Sequence, residues 1–259
     1  MNNKVSIHIA TKDRHSEVSC LLTSLRNQTY QDWDIVIYDE SMTPLTHHFP
    51  TTALLNRLKQ ENHKVKLVIG NERKGVCNAR NKCIEHDNFE NRYTCRVDDD
   101  VILDNDYLEK LLNVIEQGYD IASGITPDLG SPFIVGRTEK LKGRVNKLVF
   151  DEEYNITEFG DDCGMCWDSN KILPADHFRS SALYKSELNE LGYETNLSPV
   201  GFREESFFSM KARYIKNLKI GVDLSAKALH FRTPSGGCRH EKYREFVNQD
   251  NELFNKWFK

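Results

Sequence analysis

The sequence predicts an α/β domain built on a mainly parallel, twisted sheet. Three observations predict it. Strand-like and helix-like apolar periods alternate from residue 4 to residue 122, each strand-like segment runs into a polar loop, and frequent Gly and Pro interrupt this order only after residue 123.

Val5, Ile7 and Ile9 alternate with Ser6 and His8, the period of a strand, and Thr11-Lys12-Asp13-Arg14 ends it as a loop. Val18, Leu21, Leu22 and Leu25 return at helical spacing, which predicts a helix. Ile35 to Tyr38 is a second strand ending in Asp39-Glu40-Ser41, Leu54, Leu55 and Leu58 mark a second helix, and Val65 with Leu67 to Ile69 a third strand. After the polar loop Gly70 to Gly75 come a short helix from Val76 to about His86, a fourth strand from Tyr93 to Val97, and a helix carrying Leu108, Leu111, Leu112 and Ile115. Such βαβ units take right-handed crossovers and put helices on both faces of the sheet. Ligands of these sheets gather at the carboxyl ends of the strands. The loops at residues 11–14, 39–41, 71–75 and 98–100 are therefore expected to converge on one crevice.

From residue 123 the chain is punctuated by Gly124, Pro127, Gly130, Pro132, Gly136 and Gly143. Two stretches in this half, Phe178 to Leu191 and Glu204 to Asn217, have helical spacing. Tyr243 to Phe258 sets Phe246, Val247, Leu253, Phe254, Trp257 and Phe258 on one helical face, expected to pack on the domain. Its other face carries Glu245, Asp250 and Glu252 with few cations, which argues against the alternative of a membrane-surface helix.

A net charge of −4 argues against a surface made mainly for a nucleic-acid backbone. The basic run Arg137, Lys140, Lys142, Arg144 and Lys147 is read as a solvated face or an anion-binding one. No apolar run has signal-peptide or membrane-spanning length, so a cytoplasmic protein without a transmembrane segment is expected. The seven cysteines are odd in number and scattered, which implies free thiols. Cys163 and Cys166 have the spacing of half a zinc site but no second pair, so packing is the better reading.

Asp98, Asp99 and Asp100 follow directly on an apolar strand, and three like charges at a sheet end repel unless something positive compensates them. A hard divalent ion such as Mg²⁺ or Mn²⁺, shared with phosphate oxygens, is the natural candidate; a solvated, capping turn is the alternative. On this triplet and the motifs around it the chain resembles the family 2 glycosyltransferases of the GT-A fold. Thr11-Lys12-Asp13-Arg14 stands in the place of the family's first loop, although the usual Pro and Tyr are missing. Ile35 to Ser41 resembles the strand with an acidic turn, without the usual Gly after Asp39. Gly75-Val76-Cys77-Asn78-Ala79-Arg80-Asn81 is similar to Gly-x-x-x-Ala-Arg-Asn, and Asp98-Asp99-Asp100 to Asp-x-Asp.

The resemblance implies a single GT-A domain, Rossmann-like, with residues 1–122 as a nucleotide-sugar-binding half and residues 123–259 as an irregular acceptor-binding and catalytic half. It implies a nucleotide-sugar donor, a UDP-sugar for preference, with Mn²⁺ or Mg²⁺. Asp39 would accept the imide N–H of uracil, Asp98 would hold ribose or metal, and Asp100 would bind the metal. Thr11, Arg14, Arg80 and Asp99 join the nucleotide-binding set, with Lys74 a possible helper better explained by a surface ion pair. Glu204-Glu205 resembles the family's Glu-Asp motif, with Glu205 in the place of the catalytic base and Glu204 as runner-up. His230 stands where some members have a metal ligand, and Gly236-Gly237 with Arg232 and Arg239 forms a candidate lid. Asp176 and His177 face donor sugar or acceptor, or Asp176 caps a helix. The acceptor bears a hydroxyl on a glycan, lipid, protein or modified nucleobase. The alternatives are a sugar-phosphate nucleotidyltransferase, disfavoured because residues 11–14 contain no Gly, and a non-catalytic nucleotide-sugar-binding module.

Overall fold

A computed structural model describes residues 3–257 apart from Phe133 and Tyr154. Phe258, assigned above to the terminal helix face, lies outside the described residues.

The first half folds as its periods dictate. β1 (Val5–Thr11), β2 (Trp33–Asp39), β3 (Val65–Ile69) and β4 (Tyr93–Val97) pair in parallel, Val5 facing both Trp33 and Tyr93, and Ile35 facing Val65. α1 (His15–Arg26), α2 (Phe49–Gln60) and α3 (Val76–His86) connect them. β5 (Val101–Leu103), α4 (Tyr107–Glu116) and β6 (Ile121–Ile125) follow. The irregular half contains the short strands β7 (Val135–Gly136), β8 (Leu148–Phe150), β9 (Ile156–Phe159), β10 (Cys166–Trp167) and β11 (Ile172–Ala175). β12 (Ser181–Lys185), α5 (Glu204–Met210), the long β13 (Ile220–His230) and α6 (Tyr243–Trp257) complete the chain.

The large sheet runs in the order β11-β13-β6-β12-β4-β1-β2-β3, so strands from both halves of the sequence share it. One apolar cluster fills the space under α1 and α4, and a second lies under α5 and α6.

The helix expected over Phe178 to Leu191 is instead β12 followed by a 3₁₀ turn over Ser186–Leu191. β12 lies antiparallel between β4 and β6, and Ser181 to Tyr184 are all buried. A strand covered on both faces shows no polar alternation, and the spacing of Phe178, Ala182 and Leu183 then imitates a helix. The insertion matters for the site, because it sets the Ser180 carbonyl 2.8 Å from the Asp98 N–H, which donates to it. The stretch from Glu204 does begin as a helix, α5, and widens to a π turn over Lys211–Ile215.

Two further features escaped the periodicity. β5, three residues long, pairs antiparallel with the end of β13 and brings Val101 opposite His230. Asp250, expected on the solvent face of α6, is wholly buried: it accepts from Ser198 N–H (2.7 Å), Ser198 Oγ (2.7 Å) and Phe202 N–H (2.8 Å). It ties α6 to the loop that leads into α5, while Phe254 packs edge-on against Phe207 with ring centroids 4.9 Å apart. Asp250→Ala leaves these buried donors unpaired, and a loss of about 2–4 kcal/mol in urea unfolding is expected; a loss below about 0.5 kcal/mol would show the tie to be ornamental.

Candidate active site

A cavity of about 820 Å³ opens at the carboxyl ends of β1 and β4, with Asp98, Asp99 and Asp100 in its lining. The three acids do different things because each meets a different cation.

Asp98 Oδ1 accepts from Arg80 Nη2 (2.5 Å) and Arg96 Nη2 (2.6 Å). Arg80 is delivered by α3, whose start at Gly75 (φ 100°) lies so close to the Pro199 backbone that a Cβ would collide with it. Arg96 stands on β4, fully buried over the Phe178 ring. Burial alone would raise the Asp98 carboxyl; Arg96 and Arg80 outweigh it and hold the group well below the usual carboxylate range.

Both arginines also reach α5. Glu204 Oε1 accepts from Arg80 Nε (2.8 Å) and Arg96 Nη2 (3.1 Å), and Glu204 is buried. Glu205, next along the helix, lines the cavity with 27% of its side chain exposed, and its nearest cation, Arg96 Nη1, is 3.6 Å away. Carboxylate atoms of Asp98, Glu204 and Glu205 lie within 4.8 Å of one another. Of the two adjacent glutamates, only Glu205 has a carboxylate that no side chain hydrogen-bonds at close range, while burial pushes the Glu204 carboxyl pKa up to about 7.

Asp99 is turned inward: Oδ1 accepts from Arg14 Nη1 (2.7 Å) and Oδ2 from Thr11 Oγ1 (2.8 Å). It fixes the loop after β1 from within the cavity lining. Asp100 lies between Arg14 Nη1 (2.9 Å) and His230 Nε2 (3.3 Å). The β5–β13 ladder sets this last pair, together with the Phe231 N–H donated to the Asp100 carbonyl at 2.9 Å. Burial lowers the His230 pKa, but its contact with Asp100 raises it further than burial lowers it.

A divalent ion fits these donors. Cis ligands on an octahedral ion with bonds of about 2.1 Å sit about 3 Å apart, close to the Asp100–His230 spacing. Glu204 Oε2 is buried and lacks a hydrogen-bond partner among the described residues, while Asp100 Oδ2 has Arg14 Nη1 at 2.9 Å and His230 Nδ1 has Asp128 Oδ1 at 3.5 Å. Within the ion-paired network alone, Asp98, Asp99, Asp100, Asp128, Glu204 and Glu205 meet Arg14, Arg80, Arg96 and Arg232.

Other expected residues sit elsewhere. Asp39 is fully buried and does not line the cavity: Oδ1 accepts from Ser41 N–H (2.9 Å) and Oδ2 from Leu45 N–H (2.6 Å). A carboxylate at a strand end can brace its own turn as readily as bind a base; here it does the former, and the residue of this turn that reaches the cavity is Glu40. Asp176 neither caps a helix nor meets the cavity, being buried against Arg213 (2.6 Å), Arg144 (2.7 Å) and the Leu148 N–H (2.8 Å). His177 does line the cavity, and burial keeps its imidazole below its ordinary pKa. Lys74 is exposed and pairs with Glu72 at 2.8 Å. Cys163 is buried in the core, and the metal-type donors that gather among the described residues are carboxylates rather than these thiols.

Sequence reasoning gave no role to Arg96, although a lone Arg in the buried strand Tyr93–Val97 implies paired acids nearby, because an unpaired buried charge is costly. It missed Phe159, Asp161, Arg179 and Arg203 of the cavity wall, which stand at the end of β9, in short loops and just before α5, where no apolar period marks them.

This topology, with acids at the strand ends beneath one cavity, is that of the GT-A fold. The chain belongs to glycosyl transferase family 2, whose family model matches residues 6–174. It is similar in fold to Staphylococcus aureus TarS (TM-score 0.58, 16% identity, 89% of this chain and 37% of that one). The 1–349 form of TarS in complex with UDP-GlcNAc aligns with TM-score 0.60 and 15% identity over 91% of this chain and 60% of that one. The mannosyltransferase PcManGT of Pyrobaculum calidifontis, in complex with GDP-Man and Mn²⁺, aligns with TM-score 0.57 and 13% identity over 89% of this chain and 57% of that one. The chain thus spans 37–60% of these neighbours' lengths. No curated protein matches it significantly. Among the described residues no helix is long and apolar enough to cross a membrane.

Proposed function

We propose that this protein transfers a sugar, with inversion, from a nucleotide sugar to an acceptor hydroxyl, with Glu205 as general base. The observation that carries the reading is the division of labour between neighbouring acids. Both glutamates line the cavity, but Glu204 is buried and fixed by two arginines at 2.8 and 3.1 Å, whereas Glu205 is 27% exposed with its nearest cation 3.6 Å away. A base so placed can take the acceptor proton as the hydroxyl oxygen attacks the anomeric carbon. Holding both substrates in one cavity makes that attack effectively intramolecular.

Asp100 and His230 would hold Mn²⁺ or Mg²⁺, which when bound stabilises the charge developing on the leaving diphosphate, and Asp98, grouped with Glu204 and Glu205, would hold ribose or metal. Arg14 holds Asp99 and Asp100 in place, and Arg80 does the same for Asp98. Residues 1–122 would supply most of the donor site and residues 123–259 the acceptor wall and the base. A UDP-sugar is the donor we place first; because Asp39 is committed to its own turn, selection of uracil would fall to other groups, and GDP-sugars belong in the same trial.

The test is calorimetric titration of UDP and GDP with and without Mn²⁺. One of them should bind in a Mn²⁺-dependent way, and Asp100→Ala should weaken that binding by about 10–100-fold, the usual effect of losing a ligand or its support. Binding of the same strength without metal, or unchanged in Asp100→Ala, sinks the metal assignment. Failure of both nucleotides to bind sinks the transfer.

A further inference from the structure

Several cations of the cavity wall have no acid at ion-pair distance among the described residues, and Arg203 is the one of them that precedes α5. Arg203 lines the cavity half-buried, and no carboxylate lies within ion-pair distance of it among the described residues. It is held still on three sides. Its guanidinium carbon lies 3.6 Å from the centre of the Phe159 ring and 4.5 Å from that of Phe202, and its Nε donates to Asn251 Oδ1 at 2.8 Å. The two terminal nitrogens have no protein partner among the described residues. Arg179, on the same wall, is by contrast paired with Asp161 at 2.7 Å.

The backbone at Arg203 has φ 81°, the left-handed region that favours glycine. A long charged side chain at such a position costs conformational energy, and observed strain of this kind clusters at ligand sites. Burial also pulls the guanidinium pKa down to about 10, so the cation sits in a place that disfavours it. An anion arriving there would reverse that penalty and complete a two-pronged fork.

The place of Arg203 says which substrate brings the anion. It stands two residues before Glu205, on the wall made by Phe159, Asp161 and His177 of the irregular half. Glu205 and Asp161 are the acids whose charges act on its guanidinium, which sets Arg203 beside the group assigned to the acceptor proton. We propose that Arg203 is an acceptor-recognition residue and that the acceptor carries an acidic group, phosphate or carboxylate, near the hydroxyl that Glu205 deprotonates. The inference rests on the transfer reading and narrows its acceptor to acidic polyols and sugars.

The experiment titrates the whole protein with sn-glycerol 3-phosphate, glucuronate, glycerol and glucose, each alone and after saturation with UDP or GDP and Mn²⁺. The two acidic probes should bind at least about tenfold more tightly than their neutral counterparts, the scale of a charge-assisted hydrogen-bonded pair. Preference between them tells phosphate from carboxylate. Arg203→Gly suits the φ of this position, so it should fold, and it should lose that advantage; Arg203→Lys should keep a part of it. Equal binding of acidic and neutral probes by the unmodified protein overturns the proposal. So does an unchanged acidic preference in Arg203→Gly, or a loss confined to nucleotide affinity. Because the probes are also titrated alone, absence of nucleotide binding counts against the transfer reading without deciding this one.

Discussion

Glu205→Gln should lower the turnover rate by about 10²–10⁴, the range associated with a positioned general base. Gln keeps the length and shape of the side chain but cannot take a proton. The thermal midpoint should change little, since Glu205 is partly exposed and its nearest cation is 3.6 Å away. Nucleotide affinity should also persist, because the groups around Asp100 are untouched. A complementary Glu204→Gln variant separates the neighbours: it disturbs the two arginines that hold Glu204 and should reduce stability as well as rate. If Glu205→Gln turns over at the unmodified rate while Glu204→Gln does not, the base has been assigned to the wrong residue.

Arg96→Leu should destabilise the fold by about 3–5 kcal/mol, the cost of removing one partner from a buried ionic network. Leu fills much of the space on β4, so the effect is electrostatic in origin. Asp98 and Glu204 would share Arg80 alone, in a site where burial already opposes their charge. Urea unfolding measures the loss. Adding Glu204→Leu to Arg96→Leu should restore part of it, since one stranded charge goes with the other; a double variant no more stable than Arg96→Leu would place the cost in packing instead.

The parallel half of the fold was legible because its signals are local. β1, β2 and α1 each repeat an apolar period over enough residues to stand above chance, and the ends of α3 and β4 fall where their Gly and acidic neighbours place them. β12 was misread because burial on both faces erased the polar half of its pattern. The site was legible to the extent that its members are adjacent in sequence. Asp98 to Asp100 and Glu204-Glu205 announce themselves as clusters, while the partners that divide their roles stand up to 130 positions away: Arg80 with Glu204, and His230 with Asp100. Asp39 shows the limit from the other side. Its position in an acidic turn was correctly seen, but whether a carboxylate turns to a ligand or to its own backbone is decided by the two N–H groups within reach, which a linear pattern does not record.

The short β5–β13 ladder has a consequence for biosynthesis. His230 meets Asp100 only when the strand ending at residue 230 has docked against residues 101–103. Chains emerge from the ribosome amino end first, so Asp100 precedes its partner His230 by 130 residues of synthesis, and contacts so distant in sequence close late. A nascent chain stalled before residue 220 would carry the triplet on a partly formed sheet yet have little hold on a metal ion. The order in which the chain is made thus sets the order in which the two sides of the site can meet.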